Sequence, residues 1–266
     1  MTIFIFFIFG LIIGSFLNVV ICRLNLAESL LGRSHCPKCQ KMIRWYDNIP
    51  LLSFLLLKAE CRDCRKKISW QYPLVELTTG IIFAAVAWVF LGEGALTNWL
   101  DVIFYCGFFS ALLVIFVFDL KHLEIPMPVI WLALAWTLIF LLILDGLNFQ
   151  PGMGIFSSRI FSGNLAGLLA FGFFFILAFG SREKWMGMGD AYLALFIGLG
   201  IGAEKILPAL MLSFLLGSLF GIALIVAKKK TLKSQIPFGP FLASGAVIVI
   251  LALEFFPALQ SWFFIL

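Results

Sequence analysis

The sequence predicts an all-α polytopic membrane protein with about eight transmembrane helices and one cysteine-rich loop between the first two. Of its 266 residues, 62% are hydrophobic and 12% are charged, whereas roughly 25% of the residues of a soluble domain are charged. The mean hydropathy of +1.08 excludes a disordered chain and the common soluble classes. Long apolar stretches also recur from end to end, which indicates many membrane crossings.

An apolar stretch of about 18 residues or more can cross the hydrocarbon core as a helix, because all its backbone hydrogen bonds are internal. Eight stretches qualify: Thr2–Cys22, Pro73–Leu91, Asp101–Phe118, Met127–Leu144, Ile160–Gly180, Met186–Ala203, Ile206–Ala227 and Ile236–Phe256. The first has no basic flank and is too long for a signal-peptide core, so we expect a retained helix. The count of eight requires that 186–203 crosses the membrane and does not re-enter on the same side.

The basic residues predict the orientation of the spans. If the N-terminus lies outside, the inside loops are 23–72, 119–126, 181–189 and 228–235, and they hold 17 of the 19 basic residues. Only Arg159 and Lys205 remain outside. Because basic loops stay in the cytoplasm, this split favours a cytoplasmic cysteine-rich loop and an outer C-terminus. The net charge of +5 does not indicate a nucleic-acid partner, since the bases belong to loops.

The loop over 23–72 contains two Cys-x-x-Cys pairs, Cys36 with Cys39 and Cys61 with Cys64, separated by 21 residues. This is the spacing of a zinc ribbon, in which each pair aims two thiolates at one tetrahedral ion. A loop of this size needs such a staple to fold. We expect structural zinc; two disulfides or a redox motif are the alternatives, which a reducing compartment disfavours.

Between the two cysteine pairs, an apolar run covers residues 45–57. It is too short to span a bilayer. Two interpretations stay open: the run lies against the membrane, or it packs on the zinc ribbon.

Four acidic residues lie within or at the edge of a predicted span, where a charge is costly and indicates function: Glu76, Asp119, Asp190 and Glu254. We expect Glu254, like Asp101, to be an interfacial acid at the outer surface. Asp119 closes the third span and Asp190 lies about one turn into the sixth. The predicted topology therefore puts these two carboxylates at the same, cytoplasmic face.

Two carboxylates from different helices at one depth cannot both ionise cheaply, so we expect Asp119 and Asp190 to share a proton. This is the apparatus of an aspartyl protease, in which one carboxylate activates water and the other hydrogen-bonds the scissile carbonyl. Gly187 and Gly189 lack a Cβ and let a peptide backbone approach Asp190. The alternatives are acids that merely end helices and glycines that only allow close helix packing.

With these residues in view, the chain resembles the type IV prepilin peptidases nearly end to end. The motifs that carry the resemblance are Gly14-Ser15-Phe16-Leu17-Asn18-Val19-Val20-Ile21 with Arg23, the cysteine pairs with Trp45-Tyr46-Asp47-Asn48-Ile49-Pro50, Tyr72-Pro73-Leu74-Val75-Glu76-Leu77, Phe118-Asp119 with Ile125-Pro126, Gly187-Met188-Gly189-Asp190, and Ile236-Pro237-Phe238-Gly239-Pro240-Phe241. So many ordered motifs are very improbable by chance.

The resemblance implies that Asp119 and Asp190 are the catalytic aspartates of a Gly-x-Gly-Asp membrane protease of the bacterial inner membrane. The implied substrates are prepilins or pseudopilins, whose short basic leader is cut after a glycine. It also implies N-methylation of the new N-terminus with S-adenosylmethionine, for which Glu76, Asn18 and Arg23 are candidate binding residues. Glu76 pairing with Arg23 or a loop lysine, and Asn18 bonding a neighbouring helix, are the structural alternatives.

The predicted organisation has four parts: a first transmembrane helix (1–22), a methyltransferase-associated zinc loop (23–72), a second transmembrane helix with an outer loop (73–100), and a six-helix aspartic peptidase core (101–266). Met127, Ala191 and Tyr192 depart from residues that the family often has, an acid and a lysine. None of the three replaces a proposed catalytic carboxylate.

Two other functions compete with the enzyme. Paired acids in a membrane also relay protons in transporters, but these acids lie at the membrane edge and the sequence shows no inverted repeat. A non-catalytic zinc-ribbon scaffold of a secretion or pilus assembly is the third possibility. Replacing either aspartate distinguishes a scaffold, which would keep working, from an enzyme.

Overall fold

The described part of the chain comprises residues 1–26, 28–91, 96–148, 158–231 and 234–255 of a computed structural model. Its helices are α1 Thr2–Leu26, α2 Leu52–Leu56, α3 Gln71–Phe90, α4 Leu96–His122, α5 Met127–Leu147, α6 Arg159–Gly180, α7 Met188–Val226 and α8 Gly239–Phe255, with a 3₁₀ helix over Trp45–Asn48. Within these ranges the only β-type pairings are two isolated bridges. The predicted all-α class is confirmed.

Of the helices in the described part of the chain, six, α1 and α3–α7, are long and apolar enough to cross a membrane. α8 is apolar but has 17 residues; the predicted end of that span at Phe256 lies outside the described residues, as do parts of the predicted outer loops. The chain is thus a multi-pass membrane protein. A count of eight is reached when α8 is included and α7 is taken as two segments.

α7 has 39 residues, which corresponds to ~58 Å of helix against a hydrocarbon core of about 30 Å. It is broken at Gly202, whose φ of 78° and ψ of 175° are not helical. Glycine adopts this conformation without steric cost. The N–H of Ala203 donates to the hydroxyl of Ser162 in α6 at 2.9 Å, which caps the second segment. The break separates the two spans predicted over 186–203 and 206–227.

The chain divides into two compact units, Met1–Phe90 and Leu91–Leu266. In the first unit, α1 packs along α3. A Cβ at Gly14 would lie 2.7 Å from the Cα of Glu76, so glycine at this position permits the close approach of the two helices. The connection between α1 and α3 carries α2 and the four cysteines of the loop.

In the second unit, α7 packs on α6 and α8, and α4 packs on α5 and α8. The two basic residues predicted outside both form ion pairs: Arg159 with Asp101 and Lys205 with Glu254, each at 2.6 Å. Asp101 lies near the start of α4, whereas Asp119 lies in its last turn, ~27 Å further along the helix. The ion pair of Asp101 therefore lies far from Asp119.

Candidate active site and metal centre

Asp119 is buried at the end of α4, with 4% of its surface exposed. The helix ends three residues later, at His122, because Leu123 adopts a positive φ of 56°. The Leu123 N–H closes the last turn on the carbonyl of Asp119 at 2.9 Å. The chain then passes through Ile125 into α5. The sharp turn after α4 thus keeps the Asp119 carboxylate at the end of the helix, beside the segment that contains Ile125.

Asp190 lies in the first turn of α7 and is 9% exposed. Gly187 is the N-cap of this helix, and the Asp190 N–H donates to the Gly187 carbonyl at 3.2 Å. The Gly-x-Gly-Asp motif thus begins α7 and places the Asp190 side chain in the first turn of the helix.

The structure brings Asp119 and Asp190 together although they are 71 positions apart in the sequence. Ile125 lies against Gly189, the neighbour of Asp190, and against Gly239, which meets the Asp119 carboxylate. Both side chains are shielded from solvent, and neither forms a salt bridge within 4.0 Å to a basic residue of the described chain. A pair of buried carboxylates without a cation is suited to sharing a proton between them.

Gly239, the first residue of α8, is a third component of this site, and the sequence motifs did not predict its role there. Its backbone packs against the Asp119 carboxylate. A Cβ at position 239 would lie 2.6 Å from Oδ2 of Asp119. The glycine was visible in the sequence between Pro237 and Pro240, but nothing local to it pointed to Asp119.

Ile125 packs between the start of α7, which carries Asp190, and the start of α8, where Gly239 meets Asp119. A Cβ at Gly189 would lie 2.9 Å from Cβ of Ile125, and one at Gly239 would lie 3.5 Å from its Cδ1. Gly189 is thus required by a contact within the protein. Around Gly187, in contrast, no atom comes closer than 3.9 Å to a Cβ position, so this glycine has free space beside the Asp190 carboxylate.

The four cysteines of the loop converge on one point, as the spacing predicts. The sulfur atoms of Cys36, Cys39, Cys61 and Cys64 all lie within 4.8 Å of one another. None of these thiols is in a disulfide, and the Sγ atoms of Cys36 and Cys64 are 4.0 Å apart. This four-thiol cluster could hold a metal ion.

Each cysteine pair lies in a tight turn, here called a knuckle (residues 34–45 and 59–70), and the two knuckles are copies of one structural unit, a repeat that was not predicted. In the first copy the Cys36 N–H donates to the Lys41 carbonyl, and in the second the Cys61 N–H donates to the Lys66 carbonyl, both at 2.9 Å. Residues 34–45 and 59–70 share five identities at a constant offset of 25: Cys36/Cys61, Cys39/Cys64, Lys41/Lys66, Ile43/Ile68 and Trp45/Trp70. These identities at a constant offset are the sequence signal from which the repeat could have been predicted.

An ion pair joins the second knuckle to the 3₁₀ helix. Arg62 donates from Nε and Nη2 to the two carboxylate oxygens of Asp47, at 2.8 and 2.6 Å. This bidentate bond holds the pKa of Asp47 below its usual value. The Arg62 guanidinium also lies over the ring of Tyr46, 5.6 Å from its centre. Asp47 therefore has a positioning role in the loop.

The three residues predicted to hold the methyl donor all have partners within the first unit. Arg23 donates to four loop carbonyls, those of Ser29, Leu31, Gly32 and Arg33, at 2.8–3.5 Å. Glu76 accepts the N–H of Leu51 at 2.9 Å. Among the described residues Glu76 forms no ion pair with Arg23 or with a loop lysine, and Arg23 is bonded to the loop backbone instead.

Asn18 hydrogen-bonds a neighbouring helix, which was the alternative to a role in binding the methyl donor. Its side-chain amide donates to the carbonyl of Tyr72 in the neighbouring helix α3 at 3.0 Å and accepts from Gln71 at 3.2 Å. Asn18 thus joins α1 to the start of α3 at the loop end of both helices.

Two family models match the chain, one in each unit. Residues 8–90 match the Bacterial Peptidase A24 N-terminal domain, and residues 106–222 match the Type IV leader peptidase family. No solved structure shows a significant match.

Curated relatives match over most of the chain. The prepilin leader peptidase/N-methyltransferase of Vibrio cholerae is 34% identical, over 94% of this chain and 96% of that protein. The Bacillus subtilis protein of the same name is 31% identical over 93% of both chains. The Myxococcus xanthus protein is 35% identical over 83% of this chain, and this chain spans 62% of its length. The chain belongs to the type IV leader peptidase family.

Proposed function

We propose that the protein is a membrane aspartic endopeptidase that removes the leader of prepilins or pseudopilins and N-methylates the new N-terminus. The proximity of the buried carboxylates of Asp119 and Asp190 is the observation that carries the proposal. The names of the relatives, prepilin leader peptidase/N-methyltransferase, support the substrate class and the second activity. No described feature favours the transporter or the scaffold.

The proposed hydrolysis uses one protonated and one ionised carboxylate. The ionised carboxylate takes a proton from water as the hydroxide oxygen attacks the scissile carbonyl carbon, while the protonated carboxyl donates to the carbonyl oxygen. Collapse of the tetrahedral intermediate breaks the C–N bond, and the amine leaves with a proton from the pair. The free space beside Gly187 lets a peptide backbone approach Asp190.

The cysteine cluster fits structural zinc. Zinc–sulfur bonds of about 2.3 Å separate tetrahedral sulfurs by about 3.8 Å, close to the 4.0 Å between the Sγ atoms of Cys36 and Cys64. With Cys39 and Cys61 the four thiolates close the coordination shell and leave no position for a reactant. The ion would supply folding energy to the loop.

The methyl donor is proposed to be S-adenosylmethionine, in line with the name of the relatives. Asn18, Arg23 and Glu76 stay predictions for its site. In the structure each is bonded to the protein's own backbone, so we derive no step of methyl transfer from them.

We further propose that the protein resides in the bacterial inner membrane with its N-terminus outside. The cysteine loop and both aspartates then face the cytoplasm. The confinement of 17 of the 19 basic residues to the proposed inside loops supports this orientation.

Mass spectrometry of a prepilin co-expressed with this protein or with its Asp190→Ala variant tests the function. We expect loss of the leader and the added mass of one methyl group with the intact protein, and an uncut prepilin with the variant. Several prepilins that stay uncut in the presence of a folded, metal-loaded protein would contradict the proposal.

A further inference from the structure

The short helix α2 in the cysteine loop turns apolar side chains outward. Ser53 and Phe54 are buried, whereas Leu52, Leu55 and Leu56 are 57%, 70% and 81% exposed. Leucine in a water-exposed loop normally packs inward. A contiguous exposed apolar patch is typical of a surface that contacts a membrane or another protein.

Two contacts fix α2 beside the loop end of α3. The Leu51 N–H donates to Oε2 of Glu76 at 2.9 Å, and the ring of Phe54 lies 5.0 Å from the ring of Trp70. Glu76 lies in the second turn of α3, a helix apolar and long enough to cross a membrane. The start of α2 therefore lies beside a residue of a helix that can span the membrane.

Trp70 extends an exposed apolar stripe of α3 toward the loop. Leu74, Leu77 and Ile81 are exposed and recur at helical spacing, so they share one face of α3. Trp70 precedes Leu74 by one helical turn, and the Leu74 N–H donates to its carbonyl at 3.2 Å. Tryptophan at the end of such a stripe is typical of the membrane–water interface.

The charge of the loop complements an anionic surface. Residues 23–72 contain ten basic and four acidic side chains. Lys58, two residues after α2, is exposed. Anionic lipid headgroups attract basic segments next to a membrane helix.

We propose that an apolar loop surface, made of Leu52, Leu55, Leu56 and Trp70, inserts into the interfacial layer of the bilayer leaflet on the loop's side. The basic side chains of the loop lie on anionic headgroups of the same leaflet. The cysteine knuckles are thereby held at the membrane surface. Continuity with the exposed stripe of α3 and the charge of the loop favour lipid over a polypeptide as the occupant. This inference does not rest on the proposed function.

Site-specific fluorescence in vesicles tests the insertion. The full chain is reconstituted in vesicles of phosphatidylcholine and phosphatidylglycerol, with an environment-sensitive fluorescent amino acid in place of Leu55. In a matched variant the probe replaces Gln40, an exposed polar residue of the first knuckle. Brominated phosphatidylcholine should quench the probe at position 55 at least about twofold, because the side chain reaches the acyl boundary, and should leave the probe at position 40 unchanged.

A second probe at Leu56 guards against a local effect of the label, and the metal content of each variant reports the folded loop. Quenching at positions 55 and 56 alone supports the insertion. Equal responses at positions 55, 56 and 40 would overturn it. Probes that brominated lipid does not quench but that are shielded from aqueous iodide would show a polypeptide covering the surface, which would also overturn the proposal.

Discussion

The cysteine loop and the aspartate site are held together in different ways. In the loop, each knuckle closes on backbone hydrogen bonds between residues less than ten positions apart, such as those from Ile43 to Ser34 and from Ile68 to Ala59. The aspartate site instead joins the ends of three long helices, with contributions from Asp119, Asp190 and Gly239. One site is local and rests on four cysteine side chains; the other is long-range and rests on helix packing.

This difference indicates how each site fails. A metal-dependent loop loses its structure when one ligand is removed, because bound ions supply most of the folding energy of such loops. A site formed by packed helices keeps its fold when a reacting group is replaced, because the apolar contacts remain. Substitutions in the two units should therefore have separable effects on cleavage, methyl transfer and metal content.

The largest expected effect is that of Asp119→Ala on cleavage. Removal of one member of an acid–base pair should lower the rate at least about 10³-fold, while methyl transfer to a pilin that is already cleaved persists. The control is Asp101→Ala, which removes an acid near the other end of α4. Rates of both reactions on purified protein check this; equal loss of both in Asp119→Ala would contradict the separation.

Replacing a cysteine of the loop should lower the metal content of the protein. Cys36→Ser leaves three thiolates and should reduce bound zinc from about one ion per chain to a small fraction, because the closed shell is lost. Cys106→Ser, a change of a buried cysteine in α4, should leave the metal content unchanged. Elemental analysis of protein purified without chelator measures both. Full zinc in Cys36→Ser would refute the four-thiolate site.

A smaller effect is expected from glycines of the aspartate site. Gly239→Ala places a Cβ 2.6 Å from Oδ2 of Asp119, and Gly189→Ala places one 2.9 Å from Ile125. Displacing the carboxylate by a few tenths of an ångström or more should lower kcat by about 10- to 100-fold, with little change in KM. Gly221→Ala, whose Cβ would meet nothing closer than 3.8 Å, serves as the control. Wild-type kcat in Gly239→Ala would contradict the contact.

The smallest effect concerns the ion pair of Asp47 with Arg62. Because the folded-state pKa of Asp47 is lowered, the pair stabilises the loop above the ordinary aspartate pKa of about 4, and this contribution disappears as the pH falls through the lowered value. Asp47→Asn should destabilise the loop by up to about 1 kcal/mol at neutral pH. Hydrogen exchange of loop amides at several pH values measures the difference, which should shrink in acid; a difference that grows in acid would refute the assignment.

The loop was largely predictable from the sequence because its geometry is encoded within short segments. The spacing of Cys36, Cys39, Cys61 and Cys64 was enough to bring four sulfurs together. The proximity of Asp119 and Asp190 was also expected, since both end helices at one predicted membrane face. The contribution of Gly239 could not be predicted, because its contact with Asp119 depends on how α8 packs on α4. The bonds of Arg23 to loop carbonyls likewise require the folded loop.

The most direct test of the central claim is a double-mutant cycle on leader cleavage in lipid, with Asp119→Ala, Asp190→Ala and the double variant. If the two carboxylates act as one catalytic unit, each single variant should be about as slow as the double variant, as groups that act together are strongly non-additive. Independent, multiplying losses, or a single variant that keeps cleaving near the wild-type rate, would contradict the account.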